Sequence, residues 1–179
     1  MKNSLFLAIL LFSFAGAFAQ RSLAPVDAGS KIHFVIKNFG INTGGDFSGM
    51  AGKVLFDPAH PNAASFDVTV QSSTVDTDNG QRDKHLRSDD FFAAEQFPQI
   101  RLKSSSVGAS KKAGEYIFNG DLTIRDVTKK VSFIFHAVPQ DSGFLFSGDF
   151  EIDRLDYKVG SSSATMADKV KISLSVLAK

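Results

Sequence analysis

Residues 79–100 read NGQRDKHLRSDDFFAAEQFPQI, and they differ in kind from the chain on either side. Seven of the nine residues from Arg82 to Asp90 are ionisable, leaving Leu86 and then Phe91 and Phe92 as the apolar anchors. The composition between Asp78 and Ala94 is helical, and Asp78 followed three residues later by Gln81 has the form of a capping box. A helix charged on nearly every side cannot be a core helix. The expected placement is therefore across one end of a β structure, as a lid pinned by Leu86, Phe91 and Phe92. Pro98 then forces the chain back into extended backbone.

Strand patterns flank this stretch on both sides. Toward the C-terminus, Ile100, Leu102 and Ser104 alternate with charged residues, and a lysine-bearing turn covers 108–114. Residues 115–124 and 129–138 form the next pair, joined by a turn at 125–128. Asn119-Gly120 is itself a hairpin signal, but breaking there would leave two stubs. Phe144, Phe146, Phe150 and Ile152 mark the seventh strand, and Val170, Ile172, Leu174 and Val176 the eighth.

Toward the N-terminus, Phe66, Val68 and Val70 alternate with polar residues after the loop DPAHPN at 57–62. A glycine-thinned run covers 47–57, glycine-punctuated loop 39–45, a strand 31–38, and a lead-in with Pro25 and Gly29 residues 21–30. Period-2 alternation in short runs predicts an all-β protein. The expected architecture is eight antiparallel strands in a barrel or sandwich, with one helix (about 79–94) inserted between strands 3 and 4.

The first nineteen residues have a basic Lys2, an apolar run from Leu5 to Phe14 and small residues at Ala17 and Ala19. That run is about half of the roughly 20 residues a membrane span needs, so 1–19 reads as an export signal and 20–179 as one domain. Removing Lys2 leaves 19 basic against 19 acidic residues, which gives no basic face for nucleic acid. Cysteine is absent, which excludes disulfides, a cysteine nucleophile and a lipidated N-terminal cysteine. Periplasmic residence fits best, with full secretion as the alternative, and no integral membrane segment is expected.

Chemistry on this chain is thinly signalled. Asp83, His85 and Ser88 crowd one helical turn, where their side chains point apart and no oxyanion site accompanies them. His33, His60, His85 and His136 have no metal-ligand spacing. No enzyme, cofactor or metal is expected. Arg82 and Asp83 are open to two uses: pairing that fixes the lid, or contact with a ligand head group, a role equally open to Arg154.

The run from Ser72 to Val107, with R-D-K-H-L-R-S, D-F-F and F-P-Q-I in order, closely resembles the signature of the YceI-like family of bacterial periplasmic proteins. Gly45-Asp46-Phe47, Gly120-Asp121-Leu122-Thr123-Ile124 and Arg154 with Asp156-Tyr157 extend the resemblance over essentially the whole mature chain. Two positions depart from it: Asp126 and Lys158 stand where the family usually has glycine.

The resemblance implies a lipocalin-like barrel whose interior binds a long apolar chain such as a polyisoprenoid, a quinone tail or a fatty amide. Alternation selects the tunnel lining: Phe34, Ile36, Val68, Val70, Phe91, Ile100, Leu102, Phe118, Leu122, Phe133, Phe135, Phe146, Phe150, Ile172 and Leu174. Arg82, Asp83, His85 and Arg154 are the head-group or lid candidates. The function expected is a non-catalytic carrier or scavenger. The alternative is a barrel filled by its own phenylalanines, acting as a stress or interaction module without a small ligand. Edge strands left by imperfect closure would suit a homodimer.

Overall fold

Period-2 alternation builds one antiparallel sheet in the computed structural model, which describes residues 21–179. The predicted export signal lies outside the described residues. The strands are β1 (Arg21–Leu23), β2 (Pro25–Asn38), β3 (Ile41–Phe47), β4 (Ala51–Phe56), β5 (Ser65–Gln71), β6 (Gln99–Ala109), β7 (Glu115–Ile124), β8 (Val127–Gln140), β9 (Gly143–Asp153) and β10 (Met166–Ala178). Among the described residues a single α-helix, α1 (Gly80–Arg87), lies between β5 and β6. Strand order is β1-β4-β5-β6-β7-β8-β9-β10-β2-β3.

The sheet curls because the N-terminal run reaches both of its ends: β1 is one edge strand, and β2, which follows it after Ala24, is the neighbour of the other edge strand, β3. β1 pairs with β4, with Leu23 opposite Val54. The chain then passes Ala24, which exchanges hydrogen bonds of 2.8 and 3.0 Å with Lys179, and continues as β2 against β10. At the other margin Asp46 and Asp76 exchange backbone bonds of 2.8 and 3.1 Å, and Gln71 N–H donates to the Ser48 carbonyl at 3.1 Å. β3 is thereby stitched to the segment that follows β5.

Ten strands replace the eight expected, and both differences lie near the N-terminus. The stretch 21–30, expected as a lead-in, supplies β1 and the start of β2. The stretch 39–45, expected as loop, is mostly β3; the run 47–57 gives its first residue, Phe47, to the end of β3, is broken at 48–50 and resumes as β4. Glycine misled because here it serves close packing: a Cβ on Gly45 would lie 2.7 Å from the Phe34 ring and 2.6 Å from the Thr77 methyl. Asn119-Gly120 sits inside β7 and the turn falls at 125–126, as the pairing of Ile124 with Val127 requires.

The helix is half the expected length. Asn79, not Asp78, caps it, its side chain accepting the Arg82 N–H at 3.0 Å. Ser88 turns extended and ends it. Residues 88–97 then fold as successive turns around buried Ala93 and Ala94, with Ala93 at φ 46°. This lets Phe91 and Phe92 face the barrel, which a continued helix would not.

Packing divides the interior in two. One half is solid: Phe56, Phe66, Tyr116, Phe118, Phe133, Phe135 and Phe146 form a continuous buried cluster with Val54 and Leu23. The other half, toward the helix, is walled by Leu122, Ile124, Ile152, Tyr157 and Val159 on one side and by Phe47, Val70 and Val75 on the other. Phe92 and Ile100 pack against both walls.

Gly52 in β4 sits at φ 120°, and a Cβ there would lie 2.2 Å from the Asp67 carbonyl oxygen across the β4–β5 pair. Gly52→Ala is expected to lower unfolding free energy by roughly 2 kcal/mol or more, because neither backbone can yield without breaking the ladder. Urea denaturation measures this, and an unchanged midpoint would contradict the pairing described.

Candidate functional site: the cavity beneath the helix

The half of the barrel facing the helix is hollow. Its cavity has a volume of about 180 Å³, whereas one water needs about 10–15 Å³ on this measure. The space is thus far larger than a packing defect. Inward positions of β2, β5, β6, β9 and β10 form its wall through Phe34, Val68, Leu102, Phe150 and Ile172, among others. Leu86, Phe91 and Phe92 close it from the helix and the turns after it. The lining is almost wholly apolar.

Eleven of the fifteen predicted lining residues border this cavity: Phe34, Ile36, Val68, Val70, Phe91, Ile100, Leu102, Leu122, Phe150, Ile172 and Leu174. The other four do not. Phe118, Phe133, Phe135 and Phe146 belong to the solid cluster, where Phe118 stacks on Phe133 at 4.9 Å and Phe135 on Tyr116 at 5.4 Å. They point inward as predicted, but at the filled end. Wall residues outside the predicted lining set include Ile32, Phe47, Met50, Ile124, Val159 and Val170.

The charged candidates fall elsewhere. Arg82, Asp83 and His85 do not border the cavity. Buried Asp83 accepts the Thr77 N–H at 2.9 Å and the Thr77 hydroxyl at 2.6 Å. Arg82 donates to the same hydroxyl at 2.7 Å and to the Thr77 carbonyl at 2.6 Å. The motif satisfies itself and locks the strand-to-helix corner. His85 lies edge-on to Phe91, ring centres 4.9 Å apart. The Ser88 hydroxyl donates to the His85 carbonyl rather than to its ring, so Asp83, His85 and Ser88 form no relay.

Arg154 does border the cavity, at 3% exposure. Its guanidinium donates to the carbonyls of Ala167 and Val159, each at 2.9 Å, and to Asp168 at 3.0 Å. A buried charge needs such partners, and they tie the β9 end to the start of β10. Its hydrogen bonding is architectural.

Arg125 carries a role that composition did not signal. From the tight turn between β7 and β8, at φ 56°, it donates to the carbonyls of Phe91 at 2.9 Å and Lys158 at 2.7 Å, and it covers the Phe97 ring at 5.7 Å. One side chain thus clasps the turns that close the cavity. Beside it Lys158 Nζ meets Asp126 at 2.9 Å, and this hydrogen bond holds the Asp126 carboxyl below its usual range. The two positions that depart from the glycine pattern therefore face each other. Lys158 takes the left-handed backbone, at φ 57°.

Tyr157, 2% exposed beneath these turns, has its phenol pushed up to about 12 by burial, with the Asp156 charge adding to the effect. Unfolding returns it to an ordinary value near 10, so its stabilising contribution is complete below pH 10 and is lost as pH rises toward 12. Unfolding free energy is expected to fall across that window, and Tyr157→Phe to abolish that part of the fall. Equal slopes for both proteins would refute the assignment.

The YceI-like domain matches residues 24–178, nearly the whole described chain. A UPF0312 protein of Shewanella baltica strain OS195 is 35% identical over 143 residues, covering 77% of this chain and 74% of the relative. The crystal structure of Burkholderia cenocepacia BcnA superposes with a TM-score of 0.80 at 25% identity, covering 85% of this chain and 98% of that one. A polyisoprenoid binding domain from Saccharophagus degradans shares the fold at TM-score 0.71 and 11% identity, covering 88% and 97%. With the sheet, the helix and the motif residues all in place, the chain belongs to the YceI-like family.

Proposed function

We propose that the protein is a non-catalytic carrier or scavenger that holds one long apolar chain, of polyisoprenoid, quinone-tail or fatty-amide type, in the cavity beneath the helix. We place its work in the periplasm, reached through the export signal read at 1–19. The observation that carries the proposal is the hollow half of the barrel: an apolar void kept open beside a solid aromatic cluster in the same molecule. An empty apolar void forfeits dispersion contacts, whereas each CH2 buried in it returns about 0.8 kcal/mol. A chain threading between Leu122, Phe150 and Ile172 would gain affinity from length, with no polar anchor required. The Saccharophagus neighbour, named for polyisoprenoid binding, supports this chemistry.

The filled-barrel alternative fits the half around Phe56 and not the half beneath the helix. A carrier also needs no relay, and none is assembled from Asp83, His85 and Ser88. Purification under native conditions, extraction with organic solvent and mass spectrometry is the direct test. Near-stoichiometric lipid, or saturable uptake of an added prenyl or fatty probe, is expected. Neither being found would sink the proposal. Ile172→Trp, which places a ring in the void, is expected to weaken probe uptake at least about tenfold. Stability should change by less than about 1 kcal/mol, because the ring enters empty space rather than packed atoms.

A further inference from the structure

Among the described residues, the two most exposed large apolar side chains stand together: Phe39 at 75% exposure and Ile41 at 70%. They flank Gly40 at the tip of the β2–β3 hairpin. Phe39 is held at φ 50°, a left-handed backbone that suits glycine or asparagine and is costly for a bulky residue. An aromatic ring there serves neither the turn nor the core.

The tip continues the cavity wall. Ile36 and Met166 border the cavity, and Met166 pairs with Asn38 one residue before the tip. The Phe39 N–H donates to the Thr165 carbonyl at 2.7 Å. Across the hairpin Ile36 opposes Thr43 and Asn38 opposes Ile41, so Ile41 lies on the same face as Ile36, past the rim. The tip itself is uncharged: residues 38–45 and 160–166 contain no ionisable side chain, and exposed Lys37, opposite Asn42, is the first charge behind it on the hairpin. An apolar, uncharged projection continuing the wall of an apolar cavity at Ile36 and Met166 matches the boundary between headgroups and acyl chains. A second copy of the chain fits poorly, since a two-residue tip falls far short of the roughly 1,000 Å² of a stable interface.

We propose that the β2–β3 hairpin tip inserts Phe39 and Ile41 into a lipid bilayer and sets the cavity mouth against it, so that an apolar chain moves between membrane and barrel without crossing water. The docking stands on the tip alone. The transfer rests on the carrier function proposed above.

The test uses the purified protein with vesicles of phosphatidylethanolamine and phosphatidylglycerol. Phe39→Asn suits the left-handed turn and should fold with unchanged thermal stability. It is expected to reduce vesicle partitioning about tenfold, the loss of one buried aromatic side chain. Ile41→Asp should do at least as much, while Ile134→Asp, on an exposed residue of the outer face, should have no effect. Added salt should leave most of the wild-type partitioning in place, because insertion of the two apolar side chains is not electrostatic and Lys37 adds only a screened attraction to phosphatidylglycerol. Transfer of a fluorescent prenyl probe from vesicles should slow by the same factor, with uptake from dilute solution unaltered. Equal partitioning of Phe39→Asn and wild type would overturn the proposal. So would partitioning abolished by salt, or self-association in sedimentation that Phe39→Asn removes. Wild type that partitions through Phe39 but takes up no probe from solution would leave the docking standing and remove the carrier function.

Discussion

Phe56 is the ring about which the solid half of this barrel is built. Its centre lies between 5.1 and 6.4 Å from the rings of Phe66, Tyr116, Phe135, Phe144 and Phe146, four of the five contacts edge-on. Pairs of this kind contribute about 0.5–1.5 kcal/mol each beyond their buried area. They bring β4, β5, β7, β8 and β9 to one point. A barrel fastened this firmly at one end can leave its other end unfilled and still fold. The void beneath the helix is tolerable because the aromatic cluster exists.

The closing segment follows the same division of labour. Its charges fix backbone corners: Asp83 and Arg82 converge on Thr77, and the Ser72 hydroxyl, 1% exposed, reaches the Phe97 carbonyl at 2.6 Å. Its apolar residues Leu86, Phe91 and Phe92 do the sealing. Arg125 joins the two systems, holding the Phe91 carbonyl from the β7–β8 turn. The family motif is thus mainly a folding device whose product is one apolar wall of the cavity.

What was legible in the sequence was direction, and what was not was depth. Alternation along β7 correctly turned both Phe118 and Leu122 inward. Four residues of strand separate them by about 13 Å along the barrel wall, enough to put one in the solid cluster and the other at the cavity. No pattern of period two encodes that distance. The Ile41–Phe47 strand was hidden by glycines that serve close packing against Phe34 and Thr77. The helix was overextended because the turns after Arg87 are set by where Phe91 and Phe92 must be buried. Arg125 was invisible for a related reason, since its partners lie 33 and 34 residues away in sequence.

A half-solid, half-hollow barrel makes a specific demand on any ligand: it must lie at one end. Loading the protein with an isotopically distinguished prenyl or fatty chain and recording intermolecular nuclear Overhauser effects tests this directly. Contacts from the chain to Leu122, Phe150, Ile172 and Phe92, with none to Phe118, Phe135 or Phe146, are what this account predicts. A chain that contacts the Phe56 cluster, or that touches only the outer surface, would contradict it.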